Sequence, residues 1–114
     1  MKRGAEYQMP RKKTVIGAVG VAVLLIIMLT IFRREPRGAL LFRNNNCIVC
    51  HAIQGKGGSV DPNLTYVGRR RSRSYIIEQM INPKSHNANT AMPSFAHFPE
   101  KDINDLADYL SNLK

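Results

Sequence analysis

The chain has 114 residues, which is enough for one small domain and one appendage. Its formal net charge at pH 7 is +9, and much of this charge lies in Arg69-Arg70-Arg71-x-Arg73. Such a cluster is typical of nucleic-acid binding. That class is excluded here, because an apolar segment and a cysteine motif place this part of the chain outside the cytoplasm.

The first predicted element is a membrane-spanning helix over residues 14–32. The run TVIGAVGVAVLLIIMLTIF contains no charged residue. As a helix it rises roughly 28 Å, close to the hydrocarbon thickness of a bilayer. Arg33-Arg34 follows it in place of a small-residue cleavage site, so an uncleaved anchor is favoured over a signal peptide.

This anchor divides the chain. We expect an N-terminal cytoplasmic tail over residues 1–13, the anchor over 14–32, a linker over 33–37 and a globular domain over 38–114. Pro36 ends the anchor helix, and the short linker keeps the domain near the bilayer. The charge difference across the span is weak, so it predicts no orientation by itself.

The pattern of the globular part predicts an all-α domain. We expect a short helix over 38–44, a loop over 54–63, a helix capped by Ser72 or Ser74 that ends near Asn82, and an irregular stretch over 84–98. Pro99 suits the first turn of a last helix. The apolar stripe of that helix is Ile103, Leu106, Ala107, Leu110 and Leu113.

The most informative motif is Cys47-Ile48-Val49-Cys50-His51, which predicts covalent attachment of haem. Each cysteine can form a thioether to one vinyl group, and His51 then becomes an axial ligand of the iron. A redox dithiol would need a strand–helix context that is not predicted. A zinc site would need four ligands, and the histidines lack zinc-finger spacing.

The iron of such a haem usually takes a second axial ligand. Met92, next to Pro93, is the first candidate, and Met/His ligation raises the reduction potential. His86 is the second candidate. His97 is expected to be a surface or packing residue.

Residues 38–114 resemble a class I cytochrome c domain. Gly38 and Phe42 are similar to the small and aromatic residues of the family's N-terminal helix, and Tyr109-Leu110 is similar to the pair that packs against it. The segment from Phe42 to Cys47 is one residue longer than in many members. A bulge is therefore expected at 44–46, which puts the packing of Phe42 in question.

The resemblance also implies residue roles. Pro62 would accept a hydrogen bond from His51 through its carbonyl oxygen. Arg69 would lie near a haem propionate, and Asn82-Pro83 with Met92-Pro93 would form the distal side. One covalent haem c would supply much of the core, since a domain of roughly 80 residues has little stability to spare, so the apo-domain is expected to fold poorly.

The function implied is a non-enzymatic carrier of single electrons, anchored in the cytoplasmic membrane of a bacterium. Thioether attachment outside that membrane places the domain on the periplasmic side. The expected partners are redox proteins, namely a quinol-oxidising complex as donor and a terminal oxidase or reductase as acceptor, with no nucleic acid and no small-molecule substrate. The chain could equally be a subunit fixed in such a complex.

Three alternatives stay open. A haem-based gas or redox sensor, or a small haem peroxidase, would need a coordination position that opens. A structural membrane protein would leave the motif empty. The arginine cluster is either a docking site for an acidic partner or a solvated loop.

Overall fold

The computed structural model describes residues 12–32 and 34–114. The expected cytoplasmic tail up to position 11, and Arg33 of the expected linker, lie outside the described residues. The chain divides into two compact units, Met1–Arg34 and Glu35–Lys114.

The described part of the first unit is one helix, α1 (Lys12–Phe32). Its segment Val15–Phe32 has the length and apolar composition of a membrane span. At 1.5 Å per residue this segment rises roughly 27 Å, and no part of it is buried within the protein. The helix begins at Lys12, two positions before the predicted start at Thr14.

The second unit is mainly helical, as predicted. The predicted helices correspond to α2 (Arg37–Asn44), α5 (Arg73–Ile81) and α6 (Glu100–Ser111). Ser72 caps α5 by accepting a hydrogen bond from the backbone N–H of Tyr75 at 3.2 Å. Pro99 lies at the N-cap of α6, one residue before the predicted position. Three short elements were not predicted, because segments of three or four residues show no periodicity in the sequence. They are the single-turn helices α3 (Cys47–Cys50) and α4 (Val67–Arg70) and the 3₁₀ turn Pro83–Ser85.

A small hairpin corrects the prediction that residues 54–63 are entirely loop. Strand β1 (Ala52–Ile53) pairs antiparallel with β2 (Lys56–Gly57). The two residues between them, Gln54 and Gly55, have φ values of +50° and +75°. Positive φ at both central positions is the requirement of the tight turn that joins twisted strands. Strands of two residues are too short to produce an alternating pattern in the sequence.

Helices α2 and α6 approach each other closely at Gly38. A Cβ atom at this position would lie 2.2 Å from the carbonyl oxygen of Asp105 and 2.4 Å from the Cβ of Tyr109. Arg37 reinforces the contact through ion pairs to Asp102 at 2.5 Å and Asp105 at 3.0 Å. Only glycine therefore permits the crossing at this separation.

The expected bulge before the haem-attachment motif takes the form of a turn. Helix α2 ends at Asn44, and Asn46 adopts a left-handed conformation with φ of 61°. Asparagine tolerates this conformation better than most residues. Phe42 is nevertheless 3% exposed, and its ring centroid lies 6.5 Å from that of Tyr109. The turn absorbs the extra residue, so the packing of Phe42 is kept.

The core of the second unit is built around α6. The helix buries Ile103, Leu106, Ala107 and Leu110 of the predicted stripe. Leu113, the last member of that stripe, lies beyond the end of α6 and is only partly buried. Helices α2, α4 and α5 all pack against it. The buried core cluster consists of Phe42, Val67, Ile76, Met80, Ile103, Leu106, Ala107 and Leu110.

We predict that Gly38→Ala destabilises the second unit. The added methyl group overlaps backbone atoms of α6, so the two helices must separate, at a cost of about 1–3 kcal/mol or more. Urea denaturation of the haem-loaded protein, followed by far-ultraviolet circular dichroism, measures this loss. Leu40→Ala is the control, because Leu40 lies on the same helix and is 39% exposed. Equal midpoints for the two variants would contradict the account of the crossing.

Candidate haem site

The attachment motif occupies a single helical turn. Cys47 and Cys50 are three residues apart in α3, which places them on the same side of the helix. Both are free and half-buried. Burial raises the pKa of the Cys47 thiol above its ordinary value. The backbone N–H of His51 donates to the carbonyl oxygen of Cys47 at 3.0 Å, so His51 is held directly after the cysteine pair.

Two glycines allow the chain after the motif to pack beneath it. Gly58 donates its backbone N–H to the carbonyl oxygen of Ile48 at 2.8 Å. A Cβ atom on Gly58 would lie 1.8 Å from the carbonyl oxygen of Val49, and one on Gly57 would lie 2.3 Å from that of His51. Glycine is therefore required at both positions, because the chain passes too close to the attachment motif to leave room for a side chain.

The ring of His51 is oriented by a backbone carbonyl. Its Nδ1 lies 3.0 Å from the carbonyl oxygen of Pro62. A carbonyl oxygen can only accept, so Nδ1 carries the hydrogen and Nε2 is left as the metal-binding nitrogen. The nearest carboxylate to Nε2, from Asp61, is 3.9 Å away, which is too long for a hydrogen bond. A hydrogen bond of this kind fixes the tautomer and makes an imidazole a better donor to iron.

A cavity of about 410 Å³ lies against the core of the second unit. His51, Pro62 and Met92, all predicted site residues, line this same cavity. Its apolar wall includes members of the buried core, namely Val67, Ile76, Met80 and Leu110. The imidazole of His51 and the thioether of Met92 therefore share one cavity, which is lined by the apolar core and by polar side chains.

Two hydrogen bonds, a neighbouring proline and packing against the core hold Met92 in place. Its backbone N–H donates to the hydroxyl oxygen of Thr90 at 3.1 Å. Pro93 restricts the backbone conformation of Met92 itself, because Met92 is the residue before a proline. Its Sδ accepts a hydrogen bond from Nε2 of Gln79 at 3.6 Å. The side chain is partly buried against the core.

The other two histidines occupy different environments. His86 lines the cavity and is exposed. His97 does not line it, and instead packs beside Phe95 and edge-on to Phe98, with ring centroids 6.5 and 4.9 Å away. The second candidate ligand therefore stands at the cavity, whereas His97 belongs to an aromatic cluster.

The arginine cluster is divided among different contacts. Arg69 does not line the cavity, and its guanidinium lies 5.2 Å from the centre of the Tyr66 ring. Arg70 and Arg71 do line the cavity. Consecutive residues of a helix differ by about 100° in direction, so Arg69 and Arg70 of α4 cannot face the same way. The structure thus places Arg70 and Arg71, and not Arg69, on the cavity wall. The propionate role that the family resemblance implies for Arg69 stays a prediction.

The residues present fit a haem. The attachment turn supplies the thiols, the cavity supplies an apolar wall, and His51 and Met92 supply nitrogen and sulfur ligands. Among the residues that the structure describes, no three His, Cys, Asp or Glu side chains are grouped to hold a metal ion. The zinc alternative therefore finds no ligand set in the described chain. Sequence reasoning did not identify Gln79 and Tyr75 as site residues, although their i, i+4 spacing on α5 placed them on one helix face.

The fold and the site define a small helical protein that binds haem covalently. The family model described as Cytochrome c matches residues 36–114. The chain therefore belongs to the cytochrome c family, and it is an electron-transfer protein with covalent haem c.

Relatives of known type agree with this assignment. A cytochrome c-553-like protein of Synechocystis sp. is 31% identical over 110 residues, covering 85% of this chain and 98% of the relative. Subunit 2 of a cytochrome c oxidase from Alkalihalophilus pseudofirmus is 30% identical over 68% of this chain and 25% of its own length. A nitric oxide reductase subunit from Stutzerimonas stutzeri is 31% identical over 65% of this chain and 54% of its own length.

We predict that Arg70→Gln and Arg71→Gln each lower the reduction potential more than Arg69→Gln. Removing a positive charge beside the haem favours the ferric state, whereas Arg69 lies outside the cavity lining. The expected shift is up to about tenfold in the one-electron equilibrium, or about 59 mV. Redox titration of the three variants measures it. A larger shift for Arg69→Gln than for the other two variants would instead identify Arg69 as the propionate partner.

Proposed function

We propose that this protein is a membrane-anchored carrier of single electrons. Cys47, Cys50 and His51 would attach one haem c, and Met92 would supply the second protein ligand to its iron. The observation that carries the proposal is the placement of His51 and Met92 on the walls of one cavity, part of which is formed by the apolar core. When bound, the haem supplies a one-electron change between ferric and ferrous iron.

The contacts around the two ligands suit electron transfer rather than binding of an external molecule. The Pro62 carbonyl holds the ring of His51, and Thr90 and Gln79 hold Met92. Ligands that are fixed before electron transfer need little rearrangement during it. A filled sixth position also disfavours the binding of gases or peroxide, on which a sensor or a peroxidase depends.

The proposed arrangement in the cell combines the apolar helix with the chemistry of haem attachment. The anchor would span residues 14–32, with residues 1–13 in the cytoplasm. The linker 33–37 and the haem domain 38–114 would lie on the periplasmic side, because thioether attachment takes place outside the cytoplasmic membrane. Anchoring raises the effective concentration of the domain near membrane-bound partners. Relatives that are subunits of an oxidase and of a reductase support a terminal oxidase or reductase as the acceptor. A quinol-oxidising complex is the proposed donor. The chain acts as a free carrier or as a fixed subunit of such a complex.

The proposal is tested by a reduced-minus-oxidised visible spectrum of isolated membranes, repeated on the polypeptide after acid–acetone extraction. We expect a c-type α-band that sediments with the membranes and stays with the protein after extraction. A band lost on extraction would rule out covalent attachment. A band in the soluble fraction alone would rule out the anchor.

We predict that Met92→Ala lowers the reduction potential by more than about 59 mV and opens the iron to carbon monoxide in the reduced protein, because loss of the thioether removes the stabilisation of ferrous iron. Met80→Leu is the matched control: it changes another methionine of the cavity at nearly constant volume and is expected to keep the potential. An unchanged potential in Met92→Ala would transfer the ligand role to His86. Complete carbon monoxide binding by the wild-type protein at neutral pH would favour a sensor.

A further inference from the structure

A chain of side-chain contacts leads from the outer part of the cavity to the sulfur of Met92. His86 Nδ1 lies 3.1 Å from Oε1 of Gln79, and Nε2 of Gln79 lies 3.6 Å from Sδ of Met92. All three residues line the haem cavity. The function proposed above uses Gln79 only as a contact that holds Met92, and it gives His86 no role while Met92 is the ligand.

The chemistry of the acceptors determines which way the Gln79 amide points. A thioether sulfur is only an acceptor, so the NH₂ group of Gln79 must face Met92. The carbonyl Oε1 then faces His86, and because it too can only accept, His86 must donate from Nδ1. Both neutral His86 with hydrogen on Nδ1 and doubly protonated His86 satisfy this requirement. Reversal of the amide would place Oε1 against the sulfur lone pairs, where neither atom can donate a hydrogen bond.

His86 is itself held in place. Its ring stacks on Tyr75, with ring centroids 3.9 Å apart and an angle of 23° between the planes. The guanidinium of Arg71 lies 4.5 Å from the centre of the same Tyr75 ring. The backbone N–H of His86 donates to the carbonyl oxygen of Pro83, which closes the 3₁₀ turn before it. The imidazole therefore has both a fixed position and a fixed plane.

Tyr75 and Gln79 are separated by four residues of α5, so they occupy the same helix face. Tyr75 supports the His86 ring, and Gln79 receives its hydrogen bond. Helix α5 thus supplies both residues that hold His86: one stacks on its ring and the other accepts its hydrogen bond.

We propose that His86 is a positioning residue: it fixes the Gln79 amide so that its NH₂ group donates to Met92 Sδ and raises the reduction potential. The proposal rests on the function proposed above, in which Met92 ligates the iron. A hydrogen bond to the sulfur withdraws electron density from it and weakens its donation to ferric iron more than to ferrous iron. The ferrous state is favoured as a result. Hydrogen bonding around a haem is an established means by which proteins tune its reduction potential.

The experiment measures the reduction potential of the haem-loaded, full-length protein in Gln79→Leu, His86→Phe and the double variant. Phenylalanine keeps a ring against Tyr75 but cannot donate. We expect Gln79→Leu to shift the one-electron equilibrium about threefold to tenfold toward ferric protein, and His86→Phe to shift it in the same direction by less. The double variant should match Gln79→Leu, because His86 acts only through Gln79.

Two further variants separate positioning from a general structural effect. His86→Asn restores an N–H donor near the former Nδ1, and it should recover most of the potential lost in His86→Phe. His97→Phe alters a histidine outside the cavity lining and should leave the potential unchanged. The near-infrared charge-transfer band of methionine-ligated ferric haem, recorded for each variant, reports whether Met92 stays bound.

The outcomes distinguish this proposal from the one it rests on. A wild-type protein without the methionine-ligation band would overturn both. A wild-type protein with that band, together with a His86→Phe potential equal to that of the wild type, would overturn the role of His86 alone. Additive shifts in the double variant would also overturn it, since His86 would then act on the haem by a separate route.

Discussion

The contact of α2 with α6 at Gly38 is the constraint on which the second unit depends. It joins the two ends of the domain, because α2 leads directly into the attachment turn and α6 lies at the end of the chain. Helix α6 also receives α4 and α5, and its Leu110 contributes to the cavity wall. The segments that surround the cavity are far apart in sequence and share one helix as their common support. The position of His51 relative to Met92 is therefore set indirectly, by how closely the helices pack around α6.

Features that depend on neighbouring residues were predictable from sequence. The spacing of Cys47, Cys50 and His51 follows from the reach of two thioethers and one axial ligand, and the stripe on α6 follows from helical periodicity. Asn44 to Asn46 marked the end of α2, although its left-handed turn could be described only as a bulge. The strands β1 and β2 are too short to leave a pattern at all.

Features that depend on how one helix is rotated against another were not predictable in the same way. Which arginine of α4 faces the cavity depends on the seating of that helix, which is fixed by the backbone hydrogen bond from Gly68 to Leu113 at 2.9 Å. The family resemblance indicates Arg69, the arginine after Gly68, as the propionate partner, but it does not show that Arg70 rather than Arg69 lines the cavity. Gln79 presents the same difficulty, because its contact with Met92 joins a helix to an irregular segment. The sequence shows that Gln79 can donate a hydrogen bond and that Met92 can accept one, but only the fold shows that the two lie within hydrogen-bond distance.

The close packing of Gly57 and Gly58 against α3 has a consequence for the order of haem attachment and folding. Gly57 and Gly58 lie so close to the attachment turn that no space remains for even a methyl group, and the thiol of Cys47 is half-buried with a raised pKa. A protonated, partly covered thiol is a poor nucleophile. The Cys47 thiol is thus more accessible and more reactive before this part of the chain has folded. Haem attachment is best completed first, and folding then closes around a cofactor that can no longer leave; maturation of this protein is in that sense a one-way process.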